Sequence, residues 1–91
     1  PSPAIRLARA VAVAEADGPQ AGLALLEDLD ESLPHSHRLP AIRAELLCRA
    51  GRGVEAEAAY QRAISLCANE AERTHLIARL TELDSGQPRG R

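Results

Sequence analysis

The sequence predicts an all-α fold: a short right-handed α-solenoid of two helical hairpins plus a C-terminal capping helix. Composition is the first reason. The chain is 45% hydrophobic but only 1% aromatic, with Tyr60 its one ring, so its core is built from Ala, Leu, Ile and Val. Ala and Leu lose least on entering a helix, and the residues that favour strands are scarce. The second reason is punctuation, because apolar residues recur at helical spacing between breakers at Asp17-Gly18-Pro19, Asp30 to Ser36 and Gly51-Arg52-Gly53. The third is self-similarity at a spacing of about 34 residues.

Ser2 followed by Pro3 has the form of an N-cap with proline at the first helical position, and no breaker interrupts Ala4 to Ala16. Gly18 suits the turn after that helix, and Pro19 opens a second, expected to reach about Leu29 with Leu23, Leu26 and Leu29 on one stripe. Asp30 to Ser36 shows no periodicity and reads as the longer connection between hairpins. A third helix begins near His37, tolerates Pro40 in its first turn, and carries Leu39, Ile42, Leu46, Leu47 and Ala50 inward. Gly51-Arg52-Gly53 ends it. Val54 to Cys67 forms the fourth, with Ala56, Ala59, Tyr60, Ala63 and Ile64 facing the core. Asn69 with Glu72 three residues on has the form of a capping box for a last helix, whose stripe is Leu76, Ile77, Leu80 and Leu83. Residues 1–84 are thus one helical domain, and residues 85–91 are expected to be a disordered tail.

The internal comparison pairs Ala10 with Ala44, Val13 with Leu47, Asp17 with Gly51, Gly22 with Ala56, Leu26 with Tyr60 and Leu29 with Ala63. Small meets small and large meets large, as expected where two helices cross closely. Gly18 and Gly22 mark the first unit. In the second, Ala44, Leu47, Gly51, Ala56, Tyr60 and Ala63 stand where the tetratricopeptide repeat (TPR) places its characteristic residues. The chain therefore resembles a TPR array. It departs from the pattern at Pro40 and Arg43, which replace an aromatic and a Leu, and at Ala68, which replaces a final Pro. Over whole strings, LARAVAVAEADGPQAGLALLEDLD and HRLPAIRAELLCRAGRGVEAEAAYQRAISLCANEAERTHLIARL, it resembles the C-terminal TPR-like extension of bacterial extracytoplasmic-function (ECF) RNA polymerase sigma factors. Ala8 and Ser36 stand where that family is expected to have Asn and Tyr. The resemblance implies a non-catalytic regulatory domain that contacts the sigma core, RNA polymerase or a regulator and modulates transcription initiation. It also implies a cytoplasmic setting, and a portion of a longer chain whose promoter-binding and polymerase-binding regions lie N-terminal to this part.

Net charge is −2, pI is about 5.9, and all eleven basic residues are Arg. That balance disfavours a surface gripping phosphate backbones. A helix-turn-helix built from the third and fourth helices, argued from Arg38, Arg43, Arg49 and Arg52, is the alternative in the nucleic-acid class, and a free-standing TPR adaptor is the other. No apolar run approaches the roughly 20 residues that span a bilayer, so no membrane partner is expected.

No enzyme site is expected, since no nucleophile sits on a GxSxG turn, and Gly51-Arg52-Gly53 follows a helix and lacks the Lys-Ser/Thr of a phosphate loop. His35 and His37 offer two nitrogens but have no third ligand at helical spacing, and Cys48 and Cys67 have no CxxC neighbour. The sequence thus predicts no metal and no cofactor, with both cysteines as buried thiols. For interaction, Arg38, Glu45 and Arg49, with Arg52, form a candidate polar stripe of the kind that holds peptides in TPR grooves. Ile5, Leu7 and Val11 lie on a first helix that is apolar all round, more than one packing partner can cover. Self-association of the isolated chain through that helix is therefore expected.

Overall fold

The computed structural model describes residues 2–85, which are helical apart from turns and short connections. The helices are α1 (Pro3–Asp17), α2 (Pro19–Leu26), α3 (Leu29–Ser32), α4 (Arg38–Arg49), α5 (Gly53–Leu66) and α6 (Glu70–Asp84). Residues 86–91 of the expected tail lie outside the described residues. Ser85 does not belong to a tail: its N–H donates to the Thr81 carbonyl at 3.0 Å and its hydroxyl to Glu82 at 2.9 Å, closing α6.

The helix ends follow the local chemistry. The Ser2 hydroxyl accepts from the Ile5 N–H at 3.2 Å, ahead of Pro3. Gly18 sits between α1 and α2 at φ 100°, a conformation that side chains disfavour, which lets Pro19 start the next helix without a longer loop. At the end of α4, Gly51 adopts φ 78°. The Arg52 N–H reaches the Leu47 carbonyl at 2.9 Å and the Gly51 N–H reaches Cys48 at 3.1 Å, the two bonds of a Schellman cap. Before α6, the Asn69 side chain accepts from the Glu72 N–H at 2.9 Å.

One boundary differs from the expectation. The second helix stops at Leu26, and Leu29 opens a separate four-residue helix inside the expected connection. Arg43 holds the break, donating to both Asp30 carboxylate oxygens at 3.1 Å and to the Leu26 carbonyl at 3.2 Å. A single turn is too short to show periodicity, and its stabilising partner comes from another helix.

The single-turn α3 apart, helices that follow one another along the chain pack together: α1 on α2, α2 on α4, α4 on α5, α5 on α6. The radius of gyration, 12.6 Å, matches the roughly 12 Å of a compact domain of this length. α4 is the central element. Its Leu39 and Leu46 join Leu7, Ala10, Ala14, Leu26 and Leu29 in one apolar cluster, while Ala44 and Leu47 join Ala56, Tyr60, Ala63, Cys67 and Leu76 in another. Adjacent Leu46 and Leu47 therefore face different halves of the core, and partly buried Leu23 touches both. Cys67 is buried, whereas Cys48, expected to be buried as well, is only half-buried.

Ala56 and Ala63 have no exposed surface. Replacing either by Leu inserts three methyl-sized groups into a closed helix contact and is expected to destabilise by about 1–3 kcal/mol. A thermal melt checks this, and an unchanged midpoint for both variants would mean that α5 does not pack through this face.

Candidate functional site

Of the α1 residues singled out for interaction, the fold separates one from the others. Leu7 is buried with Ala10 and Ala14 against α2, α3 and α4, so it belongs to the core. Ile5 is 61% exposed and Val11 37%, with Ala4, Ala8 and Ala12 exposed around them. The one-sided contact of α1 causes this: its neighbours all lie on the Leu7–Ala10–Ala14 stripe. Beside the exposed face runs a groove of about 170 Å³, floored by Leu7 and Ile42, walled by Ala8, Val11 and Leu33, with Ser36 and the exposed Arg38 at its edge. Small side chains at Ala8 and Ser36 leave this space open.

The proposed polar stripe is engaged within the chain. Glu45 accepts from Arg79 Nη2 at 2.8 Å and from the Tyr60 hydroxyl at 3.3 Å, and Arg49 donates to Glu15 at 3.1 Å while its Nε lies 4.0 Å from Glu45. Arg79 also approaches Glu82 at 3.7 Å. Glu15, Arg49, Glu45, Tyr60 and Arg79 thus tie α1, α4, α5 and α6 together. Two ion pairs of this network, Glu15 with Arg49 and Glu45 with Arg79, each join residues 34 apart. Glu15 and Arg79 were missed in the sequence, although pairing opposite charges at the 34-residue spacing of the internal comparison would have found them.

Arg52 grips Glu55 with two bonds of 2.7 Å and reaches Gln20 at 3.5 Å. The hydrogen bond from Arg52 holds the Glu55 carboxyl below its ordinary range, and the guanidinium is raised in turn. Glu57 is shifted upward, first by its hydrogen bond with Asp84 and then by that carboxylate's charge. Of the four arginines of the helix-turn-helix alternative, Arg43, Arg49 and Arg52 are therefore held in intramolecular ion pairs. Arg38 alone has none among the described residues.

The fold brings to His37 two groups that do not lie at helical spacing from it. Its Nε2 lies 2.5 Å from Glu72 Oε1, and the Cys67 Sγ shares the neighbourhood, all three donor atoms falling within 4.8 Å of one another. Spacing along the chain hides this, because the groups come from the start of α4, the end of α5 and the start of α6. The Glu72 side chain accordingly meets His37, where a full capping box would turn it back on Asn69.

Among the described residues, no helix is long and apolar enough to cross a membrane. An uncharacterized protein of Rhizobium meliloti (strain 1021) is 41% identical over 83 residues, covering 91% of this chain and 20% of that protein. No family model and no solved structure matches. The chain thus spans about a fifth of the length of the curated relative it matches.

Proposed function

We propose that this chain is a non-catalytic, TPR-like protein-interaction domain that regulates a larger cytoplasmic protein of the ECF sigma-factor type, acting on the sigma core, on RNA polymerase or on a regulator. The observation that carries the reading is the uncovered apolar face of α1, with Ile5 and Val11 beside an open groove. A helix at the end of a repeat array keeps such a face for a neighbour. Equivalent positions 34 apart support the repeat: Ala10 and Ala44, Leu26 and Tyr60, and Leu29 and Ala63 are each 0–2% exposed. So do the two ion pairs between residues 34 apart. The sigma-factor context rests on the resemblance of the long residue strings, and the relative's fivefold greater length accords with a domain inside a longer protein. Engagement of three arginines with carboxylates weighs against nucleic acid as the direct partner.

The isolated chain is expected to self-associate through α1, and sedimentation across the micromolar range tests it. Val11→Glu places a charge in the face without touching the core and should return the chain to monomer. A monomeric parent would remove the α1 face as the contact surface. A pull-down with the longer protein, with and without these residues, identifies the partner; loss of polymerase, sigma-core or regulator capture on deletion is the expected result, and retention of every partner would refute the regulatory reading.

A further inference from the structure

We propose that His37, Cys67 and Glu72 form a binding site for a divalent cation of the zinc class, with a fourth position open to solvent. The three residues supply an imidazole nitrogen, a thiolate and a carboxylate oxygen, a donor set suited to Zn²⁺ and ill-suited to Mg²⁺ or Ca²⁺. Their donor atoms already lie within 4.8 Å of one another. In a tetrahedral zinc site, ligand atoms stand about 3.3–3.6 Å apart, so the Cys67 sulfur must approach by roughly 1 Å and the His37–Glu72 contact must open by a similar amount.

Those adjustments fall on side chains at helix ends. His37 precedes the first turn of α4, Cys67 follows the last turn of α5, and Glu72 lies in the first turn of α6. Burial is graded as such a site requires: Cys67 is 7% exposed, whereas the His37 and Glu72 side chains are 27% and 56% exposed. The sulfur is therefore enclosed, and the cation has a route in. That route is a cleft of about 260 Å³ lined by His37, Glu72 and His75 together with Ala41, Ile42 and Leu76, and by Arg38, whose long side chain is exposed.

Binding is balanced by proton release. Sγ–Zn bond formation expels the Cys67 thiol proton, and Nε2–Zn bond formation displaces any hydrogen held on Nε2, to solvent from an imidazolium or to Nδ1 from a neutral ring. The His37–Glu72 hydrogen bond and the contact from the Cys67 thiol to the Asn69 carbonyl, 3.4 Å, are what the cation replaces. A bound ion would join three helices at one point and fix α6 on the second hairpin. The inference does not depend on the regulatory reading of the chain.

The test uses the whole chain, stripped with chelator and titrated with Zn²⁺ and with Co²⁺ as a spectroscopic substitute. One equivalent of Zn²⁺ should bind, and Co²⁺ should give a thiolate charge-transfer band in the near ultraviolet. Cys67→Ser should abolish the band and weaken Zn²⁺ binding by more than about ten-fold, while Cys48→Ser and His35→Ala leave both unchanged. Zn²⁺ should raise the melting temperature of the parent chain and not of the Cys67 variant. If Cys67→Ser fails to fold, Glu72→Gln, at an exposed side chain, serves in its place and should weaken binding with the fold intact. Substoichiometric uptake, a band that survives Cys67→Ser or disappears with Cys48→Ser, or unchanged affinity in a folded Glu72→Gln chain would each overturn the proposal.

Discussion

Replacing Gly22 by Leu should destabilise the domain by about 3 kcal/mol or more, and Gly22→Ala by about 1–3 kcal/mol. A Cβ built at Gly22 would stand 2.6 Å from the Ala14 Cβ, 2.8 Å from the Ala10 carbonyl oxygen and 3.0 Å from a Leu46 methyl. Two of these are far closer than side chains approach, and one is backbone, which has no rotamer to change. Alanine is otherwise the better helix former by about 1 kcal/mol, so a net loss measures how strongly the crossing of α1 and α2 opposes it. For a domain of this size each kcal/mol shifts the melting midpoint by roughly 4–8 °C. The double variant Gly22→Ala with Ala14→Gly should recover part of the loss but not all, since the Ala10 carbonyl remains. A Gly22→Ala chain as stable as the parent would show that α1 and α2 do not meet there.

Tyr60→Ala should cost about 3–5 kcal/mol, enough to leave so small a domain largely unfolded. Tyr60 is 2% exposed, and its ring sits in the cluster that joins α4, α5 and α6. No other aromatic side chain exists in the protein to fill the cavity. Tyr60→Phe separates the ring from its hydroxyl, which donates to Glu45 at 3.3 Å; that variant should lose only about 0.5–1.5 kcal/mol, because Glu45 keeps Arg79. Urea unfolding of both variants is the measurement. Equal losses would assign the stabilisation to the polar network, and a small loss in both would mean that the ring is not a core residue.

Helices and their ends are readable from the residues alone wherever the decisive chemistry is local. Ser2-Pro3, Gly18-Pro19, Gly51 and Asn69 act on the backbone within a turn of themselves, and all four boundaries lie where those residues put them. Burial at 34-residue spacing was legible for the same reason: size pairing such as Ala10 with Ala44 records how close two helices come. Other features depend on partners distant in the chain. Periodicity placed Leu7 on an all-round apolar helix, but only the positions of α2, α3 and α4 turn Leu7 inward and leave Ile5 and Val11 outside. Arg43 and Asp30 fix a helix break that neither residue announces alone. Glu45 and Arg49 read as an open stripe because their partners Arg79 and Glu15 sit 34 residues away. His37, Cys67 and Glu72 are separated by 35 residues from first to last, and they meet only because the ends of α4, α5 and α6 converge, which no spacing rule for a single helix contains.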